Sequence, residues 1–104
     1  MTVSYAHVRT NSASEYAAQL TRDWMKSGLP VVRGQAHAAI TLPFGYCEFD
    51  ADKEFLDITV TADTIAHTTL FEDIVSDRLD RLSQGEPLRY AWILLPEAPR
   101  ARSQ

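Results

Sequence analysis

The sequence predicts an α+β fold: two helices packed on one face of a mostly antiparallel sheet of about five strands, in the order β-α-β-β-β-α-β, a two-layer sandwich. Three observations carry this expectation. Three consecutive segments between Ala38 and Val60 alternate apolar and polar residues and are joined by short links, the pattern of an antiparallel meander with one wet face. Two other segments repeat their apolar residues at helical spacing and can cover such a sheet. Short strand-like runs stand before the first of these and after the second.

Taken in order, Tyr5 to Thr10 alternates, with Ala6 and Val8 on one side and His7 and Arg9 on the other, a short strand. Ser12-Ala13-Ser14-Glu15 reads as a capping box. Ala13, Tyr16, Ala17, Leu20 and Trp24 follow at helical spacing, and Gly28 is placed to end that helix near Lys26. Pro30 to Arg33 is a candidate short strand, with Gly34-Gln35 as a turn. Ala38, Ile40 and Leu42 alternate, Pro43-Phe44-Gly45 breaks the run, and Cys47 and Phe49 then alternate with Tyr46 and Glu48. The polar stretch from Ala51 to Glu54 links to a third run, Leu56, Ile58 and Val60. Thr61 or Asp63 can cap a second helix, which carries Phe71, Ile74, Val75, Leu79 and Leu82 and is stopped by Gly85 and Glu86-Pro87. Tyr90 to Leu95 forms a last strand, apolar enough on both faces to be central or partly covered.

At 104 residues, 45% hydrophobic and 23% charged, the chain has material for one core, and disorder, coiled coil and collagen-like repeats are excluded. One domain is expected over residues 1–96. Residues 97–104 are expected to form a flexible tail, since Pro96 and Pro99 stand among small polar residues after the last apolar one. No apolar run approaches the ~20 residues that a membrane span needs. Ten basic residues stand scattered against fourteen acidic ones, a net charge of -4, which lacks the basic stripe of a nucleic-acid binder. One cysteine permits neither an internal disulfide nor a cysteine-rich zinc site. No basic-then-apolar leader opens the sequence, so a cytoplasmic location is expected.

Motifs with a built-in mechanism are few. There is no glycine-rich phosphate loop, no Gly-x-Ser-x-Gly elbow and no helical histidine pair for zinc. His7, His37 and His67 belong to three different elements, and only folding can bring them together. Cys47 shares a face with Phe49 and reads as a small buried hydrophobe; a neighbouring base such as His67 would make it a nucleophile instead. The second helix holds an anomaly. With Val75 set at 0° and about 100° per residue, Phe71 falls at about 320°, Leu82 at about 340° and Leu79 at about 40°. Arg78 then lies at about 300° and His67 at about 280°, on the apolar side. Asp23 occupies the matching rim of the first helix, just past Tyr16. Arg78 therefore either snorkels to the surface or pairs with Asp23 across the two helices.

The same residues carry a family resemblance. Ala6-x-Val8-x-Thr10, Tyr16 and Leu20, Pro43-Phe44-Gly45-x-Cys47, the Leu56, Ile58, Val60 strand, Ile74-Val75-x-x-Arg78-Leu79-Asp80-Arg81 and Trp92 together resemble the bacterial domain of unknown function 2218, over about residues 6–92. The resemblance implies a small α+β domain without an established activity. It also implies an association with iron or siderophore handling, because some members are joined to, or encoded with, siderophore-interacting flavin reductases. The family pattern has a histidine in the first helix where this chain has Asp23. A second opens a His-Leu-x-Arg-Phe segment where this chain has Arg78 and Leu82. Two residues of opposite charge thus replace two histidines, which removes the basis for a shared metal or haem site.

The reading that follows is an uncharacterised, non-enzymatic ligand-binding or accessory module, linked to iron or siderophore metabolism through the resemblance alone. Its ligand site is expected between helices and sheet, from Asp23, Trp24, Cys47, His67, Phe71 and Arg78, with Arg78 clamping a small anionic ligand. No cofactor, metal, nucleic acid or membrane is expected. A self-associating homodimer, joined through the apolar strand Tyr90 to Leu95, is the first alternative. A small enzyme using Cys47 is the second.

Overall fold

The computed structural model describes residues 2–28, 31–33, 37–83 and 88–95. The chain runs β1 (Thr2–Arg9), α1 (Ala13–Lys26), β2 (Val31–Arg33), β3 (His37–Leu42), β4 (Gly45–Ala51), β5 (Phe55–Ala62), α2 (Ile65–Ser83) and β6 (Ile93–Leu95). All neighbours pair antiparallel in the order β2-β3-β4-β5-β1-β6. The α+β architecture is the expected one, and the candidate strand at Val31–Arg33 brings the sheet to six strands. The turn expected at Gly34-Gln35, the helix stop at residues 85–87 and the tail at 97–104 lie outside the described residues.

Alternation decides the inner face. Ala6 and Val8, Ala38 and Ile40, Cys47 and Phe49, and Leu56, Ile58 and Val60 are all at most 3% exposed, and they meet Leu20 and Trp24 of α1 and Phe71, Val75 and Leu79 of α2. Fully burying a side chain of Val, Leu, Ile or Phe contributes about 1.5–3 kcal/mol, so this one layer between helices and sheet is the fold's main source of stability. β1 lies between β5 and the edge strand β6 and pairs with β5 along all eight residues, from Thr2 opposite Ala62 to Arg9 opposite Phe55.

Several local expectations need correction. Ser12 occupies the α1 N-cap position, but at φ -109° and ψ 25° its side chain makes no capping hydrogen bond. Its own backbone N–H instead donates to Thr10 Oγ1 at 3.1 Å. The cap of α2 is Thr64, whose Oγ1 accepts from the His67 N–H at 3.1 Å; Thr61 is still inside β5. The last strand is shorter than expected and sits at the edge rather than the centre, because Ala91 adopts φ +44° and the segment before it is strapped to α2. There the Tyr90 hydroxyl donates to Asp80 Oδ1 at 2.7 Å, and Trp92 Nε1 donates to Ser76 Oγ at 3.0 Å.

Candidate functional site

Because side chains alternate across a strand, the residues between the inward apolar ones share the face that neither helix covers. The register then builds a row there. His37 of β3 stands opposite Asp50 of β4, Asp50 opposite Asp57 of β5, and Asp57 opposite His7 of β1. Four ionisable side chains, His37–Asp50–Asp57–His7, thus run side by side across four adjacent strands. His37 Nδ1 is 2.7 Å from Asp50 Oδ1, and its Nε2 is 3.8 Å from Glu48 Oε2. His7 Nδ1 hydrogen-bonds Asp57 Oδ1, the oxygen to which the Tyr5 hydroxyl also donates at 2.9 Å. Phe55 stacks on the His7 ring with centroids 3.9 Å apart.

The row has a definite electrostatic character. Like charges directly opposite on a sheet repel, and Asp50 and Asp57 are so placed, each with a histidine on its outer side. Partial burial, then the hydrogen bond to Asp57 and the charges of Asp57 and Asp50, push the Tyr5 phenol up to about 12. Among the described residues no three His, Cys, Asp or Glu side chains converge on a point where a metal ion could sit.

The residues singled out from sequence divide into two groups. Trp24, Cys47 and Phe71 are at most 5% exposed and belong to the apolar layer, with Trp24 stacked on Phe49 at 6.0 Å between centroids. Burial, and to a smaller degree the Glu48 carboxylate, push the Cys47 thiol well up from its ordinary value. Asp23, His67 and Arg78 lie half-buried at the rim. Asp23 accepts from Gln19 Nε2 at 3.0 Å, one turn away on α1, and among the described residues no ion pair joins it to Arg78. His67 stacks on Phe44 at 4.4 Å, and Phe44 meets Phe71 edge-on at 5.8 Å. The His67 Nδ1 lies 2.5 Å from Asp63 Oδ1, and this hydrogen bond holds the Asp63 carboxyl below its usual range. The geometry therefore does not gather the six residues into one cleft: three form core and three lie around it. A separate open depression of about 520 Å³ lies on α1, lined by Glu15, Tyr16, Gln19 and Arg22 with Leu82 of α2.

Sequence reasoning missed the open-face row, although it had placed Glu48 outward by alternation. The missing quantity was register, which brings His7 and Asp57 together across fifty residues of chain.

The family model described as "Uncharacterized protein conserved in bacteria (DUF2218)" matches residues 5–93, which takes in both helices, β2 to β5, β1 from Tyr5 onward and the first residue of β6. The chain belongs to this bacterial family. The NMR structure of PA4090 from Pseudomonas aeruginosa is similar, with a TM-score of 0.75 and 23% identity over 92% of this chain and 97% of that one. That likeness concerns the fold. No curated protein matches the chain. In the segment Phe44-Gly45-x-Cys47, Phe44 carries the stack with His67, Gly45 lets β4 approach β5, and Cys47 is fully buried in the apolar layer. No helix among the described residues is long and apolar enough to cross a membrane.

Proposed function

We propose that this family member is a non-enzymatic binding or accessory module that meets a positively charged partner through the open face of its sheet. One observation carries the reading: the row His37–Asp50–Asp57–His7, with Glu48 beside it, on the face away from both helices. Two opposed carboxylates cost stability in the free chain, and a cationic partner offsets that cost. Local conflicts of this kind belong to binding surfaces more than to scaffolds. Against an enzyme built on Cys47 stands the burial of its thiol in the apolar layer. The family's association with siderophore-interacting reductases makes iron or siderophore handling the first setting to test.

The test is an amide NMR titration of the full chain with three probes: a hexalysine peptide, a positively charged ferric trihydroxamate and citrate. The expected result is that the cationic probes shift amides of β1, β3, β4 and β5, less so in Asp57→Asn, while citrate does not. Shifts with citrate alone, centred on α2, would overturn the proposal and return the ligand to Arg78. Silence with all three probes would remove the binding-module reading itself.

A further inference from the structure

We infer that His37 and Glu48 form half of a transition-metal site, completed by the same two residues of a second copy of this chain. The inference rests on the reading of the open face as the binding surface and names what that face takes. His37 has the arrangement of a metal-ligating histidine. Its Nδ1 is engaged by Asp50 at 2.7 Å, which fixes the ring and makes the other nitrogen the better donor. That Nε2 lies 3.8 Å from Glu48 Oε2. Two donors bound tetrahedrally to zinc at about 2.0–2.2 Å stand roughly 3.4 Å apart, so a small turn of either half-exposed side chain brings both onto one ion. Imidazole with carboxylate suits a divalent first-row ion such as Zn²⁺.

One chain supplies two ligands, and among its described residues no third converges with them. A two-fold axis through the ion supplies the other two from a second copy, giving a closed site of two histidines and two glutamates. Charge makes the association conditional. Each face carries Glu48, Asp50 and Asp57, and the chain bears a net charge of -4, so two such faces repel until a dication sits between them. The other two histidines are differently placed: His7 is stacked on Phe55 and shares Asp57 with Tyr5, and His67 is stacked on Phe44.

Sedimentation velocity of the full chain with and without Zn²⁺ tests this. The expected result is monomer without the ion and dimer at one Zn²⁺ per two chains. Dimerisation should be lost in His37→Ala and Glu48→Gln, be retained in His7→Ala, and require roughly 10–100-fold more zinc in Asp50→Asn. Co²⁺ in place of Zn²⁺ should give the intense visible absorption of a tetrahedral site. A mass unchanged at saturating zinc, a dimer that survives His37→Ala, or a weak octahedral cobalt spectrum would each overturn the inference. The hexalysine titration of the native chain separates the two proposals. A peptide response on β1, β3, β4 and β5 beside a mass unchanged at saturating zinc defeats the metal site alone, and absence of both defeats the open-face reading as well.

Discussion

A Cβ added at Gly45 would stand 2.1 Å from the Thr61 carbonyl oxygen and 2.8 Å from Ala62 Cα. Both are backbone atoms of β5, so no side-chain rotation relieves the contact, and β4 would have to move away from its neighbour. Gly45→Ala is therefore expected to cost about 3 kcal/mol, read as a lower urea midpoint. A loss under about 1 kcal/mol would show that the two strands separate freely at this point. Gly28 differs in kind: its φ of +85° strains any other residue, but nothing lies within 4 Å of an added Cβ. Two residues beyond Gly45, Cys47 offers a second measurement. The thiolate is the reactive form, and burial disfavours it here. Iodoacetamide should leave Cys47 unmodified in native buffer and label it in urea. Rapid native labelling would restore the nucleophile reading.

Helix α2 illustrates how far periodicity reaches. It placed Phe71, Val75 and Leu79 inward, and all three are fully buried; it placed Arg78 inside the same apolar arc, whereas Arg78 is only half-buried. It could not say which neighbour Asp23 would choose, because a Gln19 partner one turn away on the same helix competes with any residue across the gap. Nor could it place the helix start. Both Thr61 and Asp63 have the chemistry of a cap, but β5 continues to Ala62 and leaves Thr64 as the residue whose side chain reaches the free N–H groups. Asp63 pairs with His67 instead, which has a consequence in pH. A carboxyl lowered in the folded chain contributes stability that is present above its unfolded value and lost as pH falls through the folded one. Asp63 is lowered from 3.8, first of all by the His67 hydrogen bond. Below about pH 3.8 the thermal midpoint of the native chain should thus fall more steeply than that of Asp63→Asn. Parallel acid limbs would show that the pair adds nothing to stability.

Across the whole molecule, the two layers leave the sheet with unequal faces. The covered face was legible from alternation alone, since whether a residue points inward depends only on its place in its own strand. The exposed row was not, since it depends on how four strands align, and that alignment follows from links at residues 43–44 and 52–54 and from the long return of β1 to β5. In the second link, Asp52 Oδ1 accepts from the N–H groups of Glu54 at 2.9 Å and Phe55 at 2.7 Å, setting Asp50 opposite Asp57. If this opposition serves a partner, removing it should stabilise the free chain. Asn at position 50 keeps an oxygen for the His37 ring and removes one of the two facing charges. Asp50→Asn is therefore expected to raise stability by about 0.5 kcal/mol, a rise of roughly 2–4 °C in the melting midpoint of a domain this size, while weakening zinc dimerisation. A lower midpoint would mean that Asp50 earns its place through the His37 hydrogen bond within the sheet, and the row would then be a cross-strand brace rather than a surface held ready for a cation.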